Sequence, residues 1–178
     1  MTESELPQGW RQASLGDLGS EVRQRVSPDP SATYEMYSVP TFQTGLPEVL
    51  KGSEIRSSKT AVKPDDVLLC KINPRINRVW SVAPPRGSLM QLASTEYLVL
   101  RIPDPVLSRY VMWYLRSPRF REWIGLSVEA EPVKRFETLL IHEFCATSSR
   151  ATGGLIHATS GSCGAAGGRC RNRIGLAA

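Results

Sequence analysis

Within the stretch KINPRINRVW, Lys71 to Trp80, five side chains have the types that anion and base recognition uses: Lys71, Asn73, Arg75, Asn77 and Arg78. A guanidinium can pair two-pronged with the major-groove edge of guanine, a carboxamide with that of adenine, and an ammonium with phosphate. The same five residues also describe a solvated turn whose charges keep it soluble, and residue types alone leave both readings open. Arg56 and Lys59, on an earlier loop, offer the same chemistry. Trp80 could stack on a base, but between Val79 and Val82 it is expected in the core.

Other chemistries lack their partners. Asn73-Pro74 begins like the Asn-Pro-Pro-aromatic loop of amino-methyltransferases, yet Arg75 and Ile76 stand where proline and a stacking ring are needed. No Gly-x-Gly follows a strand to hold that cofactor. Pro64-Asp65 could open a nuclease metal site, but no acidic-x-Lys follows, since Leu69 stands two residues before Lys71. His142, Cys145, His157, Cys163 and Cys170 fit no zinc-ligand spacing, and there is no Gly-x-Ser-x-Gly elbow. The expectation is a chain with no catalytic residue, cofactor or metal.

The elements that would position the basic stretch follow from hydrophobic patterning. DDVLLCKI, bounded by Pro64 and Pro74, reads as a strand, VWSV as its partner across a turn, and STEYLVLR as a third. TYEMYSVPTF has the aromatic and β-branched content of a strand ending near Pro40. Residues 21–33 read as a loop, and Gly45, Pro47 and Gly52 punctuate a long irregular segment. Leu15 and Leu18 are candidate core residues. Asp104-Pro105 then signals a helix whose apolar face is Leu107, Tyr110, Val111, Tyr114 and Leu115. Ser117-Pro118 opens a second, with Phe120, Trp123 and Ile124 inward and Arg119, Arg121 and Glu122 outward. Strands followed by helices predict an α+β fold, mostly β with long loops and then short helices.

Composition sets the outer bounds. The 178 residues suit one domain, and 22 Lys and Arg against 17 acidic residues give a net charge of +5, which favours phosphate-bearing partners. MTESELPQGW has no apolar secretory region, and no run approaches the ~20 apolar residues of a membrane span, so a cytoplasmic location is expected. Cys70, inside an apolar run, is expected buried and reduced. Residues 145–178 change character: they contain no acidic residue, aromatic, proline or lysine, but seven of the 14 glycines and three of the four cysteines. This composition predicts a disordered tail beyond a domain spanning 1–144. It is also what a GC-rich frame yields out of register, and a frameshift predicts that another frame continues the structured domain.

Taken in order, LPQGWRQASLGDLG, YSVPTFQTGLPEVLKGSEI with SSK, DDVLLCKINPRINRVWSV and ASTEYLVLR resemble the target-recognition domain of type I restriction-modification specificity (S) subunits. The resemblance runs from about Leu6 to Leu126. It implies a non-catalytic reader of double-stranded DNA that directs adenine methylation and cleavage by methyltransferase and restriction subunits. Such subunits carry two recognition domains and long spacer helices; this sequence shows one domain and no heptad after it. The expectation is therefore a single recognition domain whose surface for docking those subunits is unaccounted for, with a truncated, non-functional fragment or a scaffold domain as the alternatives.

Overall fold

The computed structural model describes residues 10–73, 76–122, 124, 145–148 and 174–177. The chain forms two compact units, Met1–Gly19 with Lys134–Ala178, and Ser20–Val133.

In the first unit β1 (Trp10–Ser14) leads into the short helix α1 (Leu15–Leu18), where Leu15 and Leu18 are buried as the sequence suggests. The second unit contains β2 (Ser20–Glu21), β3 (Arg25–Val26), β4 (Thr33–Tyr37), β5 (Glu48–Lys51), β6 (Lys59–Val62), β7 (Val67–Cys70), β8 (Val79–Ser81), β9 (Met90–Ala93), β10 (Tyr97–Arg101) and α2 (Pro105–Arg116). Helical residues 118–122 follow. Returning to the first unit, β11 (Cys145–Ser148) and β12 (Ile174–Ala177) each pair antiparallel with β1. These two strands fall in the tail whose composition predicts disorder; residues 149–173 lie outside the described residues.

The second unit is α+β, with two sheets and a helix layer. Strands order β2-β10-β7-β8 in an all-antiparallel sheet, and β3-β6-β9-β4-β5 in a second where only β4 and β9 are parallel. Side chains alternate across a strand. Leu68, Cys70, Trp80, Val82, Tyr97 and Val99 therefore face the second sheet and meet its Tyr37, Val62 and Ala93 in one core. The other face of β7 and β8 carries Val67, Leu69 and Val79 toward α2, so VLLC is buried along its whole length. That double burial explains an unbroken apolar run where a one-sided strand would alternate. Cys70 is buried and unpaired, and Trp80 lies edge-on to Tyr37 (4.9 Å) and Phe42 (5.6 Å).

A smaller core of Tyr34, Met36, Ile55 and Leu92 lies on the opposite face of the second sheet. Between the sheets Glu35 is buried opposite Gln91, whose Nε2 donates to Glu35 Oε2 at 2.8 Å and to the Ala83 carbonyl at 2.9 Å. The Arg86 N–H donates to Glu35 Oε1 at 2.9 Å, so both carboxylate oxygens are satisfied.

Helix α2 begins where its signals predict. Asp104 caps it by accepting from the N–H groups of Val106 (2.8 Å) and Leu107 (3.2 Å), with Pro105 at the first turn. Ser108 Oγ donates to the carbonyl of Asp65, anchoring this end of the helix beside the turn that enters β7. In that turn Asp65 has φ 66°, and Asp66 accepts from the Lys63 N–H at 2.8 Å and from Arg101 at 2.8 and 2.6 Å. Residues 21–33 and 45–59 are less irregular than the sequence suggests, because β2 and β3 fall in or border the first and β5 fills part of the second.

Candidate nucleic-acid interface

Strand register determines which loops share an end of the second unit. Cys70 pairs with Tyr97, so the loop from Lys71 to Arg78 leaves the first sheet where β10 begins. Residues 94–96 join β9 to β10, which places Ala93 at this end; Ala93 pairs with both Thr60 and Tyr37. Lys59, just before Thr60, therefore belongs to the same end as Lys71–Arg78, as does the loop after Tyr37; Arg56 lies on the segment that runs to Lys59 from Lys51, which pairs with Thr33 at the other end of the sheet. Tyr97 ties these parts together, its hydroxyl donating to the Ser38 carbonyl at 3.2 Å while burial raises its pKa.

The 71–78 loop is braced through its own backbone. Cys70 N–H donates to the Arg78 carbonyl at 3.1 Å, Lys71 N–H to Glu96 O at 2.8 Å, Ile76 N–H to Asn73 O at 2.9 Å, and Arg78 N–H to Ile76 O at 2.8 Å. Cys70 Sγ and Arg78 Nη1 both donate to Ile72 O, at 3.3 and 3.4 Å. Asn73 takes φ 47°, a left-handed conformation that asparagine tolerates better than most residues.

The helices brace it from the side. Asn77 Nδ2 donates to the Arg116 carbonyl at 3.0 Å, and Arg121 donates from Nη2 to Leu115 O at 2.8 Å and from Nη1 to Ile76 O at 3.3 Å. Carbonyls at a helix C-terminus have no partner within the helix; here a loop amide and a guanidinium supply them. Arg121 is thus not the outward-facing residue that its helical spacing suggests, and burial lowers its pKa.

The predicted site residues divide by what their side chains do. Asn73 and Arg56 are exposed. Lys71 and Arg78 are half-buried, Arg78 reaching back to Ile72. The Asn77 amide is engaged with Arg116, and Lys59 Nζ donates to Ser57 Oγ at 2.6 Å. Arg75 lies outside the described residues, as does Pro74. Trp80 is 9 % exposed and belongs to the core.

Two features of this end escape a reading that looks for polar types. Ile72 and Ile76 are 45 % and 49 % exposed, although isoleucine usually lies inside. On α2, Trp113 is 60 % exposed with the Arg116 guanidinium 5.4 Å from its ring centre. The opposite end has a shallow pocket of about 290 Å³ bordered by Ala61, Lys63, Pro64, Met90 and Arg101. Its guanidinium is already engaged by Asp66. Among the described residues no group of three or more His, Cys, Asp or Glu could hold a metal, and no helix is long and apolar enough to cross a membrane.

No protein-family model matches the chain, and no curated protein matches it. Among solved structures it is similar to the crystal structure of the HsdS subunit from Thermoanaerobacter tengcongensis, with 24 % identity and a TM-score of 0.47. The match covers 59 % of this chain and 30 % of that one.

Proposed function

We propose that this protein reads double-stranded DNA sequence as a non-catalytic specificity module of a type I restriction-modification system. In this reading it acts in the cytoplasm, and methyltransferase and restriction subunits supply methylation and cleavage. The observation that carries the proposal is the braced hairpin Lys71–Arg78. Its backbone is held by Glu96, Arg121 and its own turns, so the main-chain positions from which it presents side chains are set in advance. Preorganisation of this kind reduces the ordering cost of binding. Lys71 and Arg78 on the hairpin, Lys59 on the same end and Arg56 on the segment leading to it supply positive charge for phosphates, and Asn73 supplies an exposed amide for a base edge. The motif order quoted above supports the same reading.

Selection from randomised duplex DNA at moderate salt tests it. Enrichment of a short motif is expected; uniform or absent retention would sink the proposal. A second reading, a protein-interaction domain, draws on exposed Trp113, because an aromatic beside an arginine is a common binding anchor.

A further inference from the structure

We propose that Ile72 and Ile76 read thymine 5-methyl groups in the major groove, making part of the specificity apolar. This rests on the DNA-reading function proposed above and deepens it. Both residues lie on the loop between β7 and β8, and neither is among the residues of the two core clusters described above. Their exposures, 45 % and 49 %, leave much of each side chain in water, an arrangement that a merely solvated turn does not require.

The backbone on either side is held. Ile72 O accepts from Cys70 Sγ and Arg78 Nη1, and Ile76 O accepts from Arg121 Nη1 and the Arg78 N–H. A β-branched side chain has little freedom about χ1, so a fixed backbone also fixes the direction of the apolar tip. Lys71 adjoins Ile72 in sequence and Arg78 stands two residues after Ile76, and their charge favours a polyanionic occupant over an apolar protein surface. The loop residues beyond β7 and β8, rather than the buried strands themselves, would meet the major groove, where the thymine methyl is the apolar group that unmodified bases present.

The test uses the intact protein and the duplex that selection yields. Each thymine is replaced singly by uracil, which removes the methyl and leaves every hydrogen-bonding group in place. At one or two positions the substitution is expected to weaken binding about fourfold, the value of one buried methyl. Ile72→Ala or Ile76→Ala should weaken binding to the thymine duplex and erase the thymine–uracil difference at its own position; Ile76→Val should retain part of it. Uracil tolerated at every position, or alanine variants that weaken thymine and uracil duplexes equally, would overturn the inference while leaving sequence-specific binding intact. If selection enriches no motif, both this inference and the DNA-reading proposal fail.

Discussion

The Asn77 carboxamide donates to the main-chain carbonyl of Arg116 at 3.0 Å, joining a hairpin loop to the end of a helix 39 residues away. One side chain thereby supports two elements. Asn77→Ala should lower the unfolding free energy by about 1 kcal/mol, the usual value of one such hydrogen bond. Asn77→Asp should cost more, since a carboxylate would face a carbonyl oxygen. Urea denaturation measures both. Unchanged stability in the alanine variant would mean that the amide is not structural.

Arg78→Ala and Lys71→Ala test the charge at the loop-bearing end, and Arg56→Ala the charge on the connection between β5 and β6. If these side chains neutralise phosphates, each replacement should reduce the slope of log affinity against log salt by about one. Titration at several salt concentrations gives the slope. Arg78→Ala should also loosen the turn by removing its bond to Ile72, so its loss of affinity should exceed that of Arg56→Ala.

Asp66 is 2 % exposed and accepts from the Lys63 N–H and twice from Arg101. Breaking a buried pair by removing one partner leaves the other uncompensated. Arg101→Ala should therefore cost about 3 kcal/mol, measured as a shift in denaturation midpoint at constant slope. A loss below about 0.5 kcal/mol, typical of an exposed pair, would show that solvent already screens it.

At Gly52 an added Cβ would overlap the carbonyl of Asp29, whose backbone lies against the turn between β5 and β6. Gly52→Ala should destabilise by about 1–3 kcal/mol through forced displacement, despite alanine's lower entropy cost. Gly45→Ala makes a useful contrast: nothing crowds its Cβ, and the penalty there is the left-handed backbone alone. Thermal unfolding of the two variants separates the effects.

Burial raises the phenol pKa of Tyr37, Tyr97, Tyr110 and Tyr114, with Tyr110 pushed up to about 12. An unfolded tyrosine ionises near pH ~10. Because the folded values are higher, these groups support the fold fully below about pH 10, and that support is lost as pH rises toward the folded values. Tyrosinate absorbance from these four should appear together with loss of circular dichroism. Their ionisation near pH ~10 with the fold intact would contradict the burial.

Elements whose apolar content was continuous were legible in the sequence: β7, β8 and β10 from their runs, and α2 from Asp104-Pro105. Strands β3, β5 and β9 were not. β3 has two residues, β5 is mostly exposed, and β9 places Gln91 inward, where alternation predicts an apolar residue. Glu35 hides the inner face of β4 in the same way, because its burial depends on Gln91, 56 residues later. At the candidate site, the sequence marked the density of basic and amide groups. It could not show that Asn77 and Arg121 hold helix carbonyls, since those contacts depend on tertiary placement, or that Ile72 and Ile76 stay outside a core that accepts their neighbours.

The parallel pairing of β4 with β9 sets an order of events. The centre of the five-stranded sheet remains open until residues 90–93 insert between β6 and β4. During synthesis, Glu35 waits with its carboxylate lacking Gln91, and β4 and β6 wait with unpaired edges. Sheet completion therefore depends on contacts of long sequence separation, which slow folding. A nascent chain ending before β9 would expose two strand edges to intermolecular pairing.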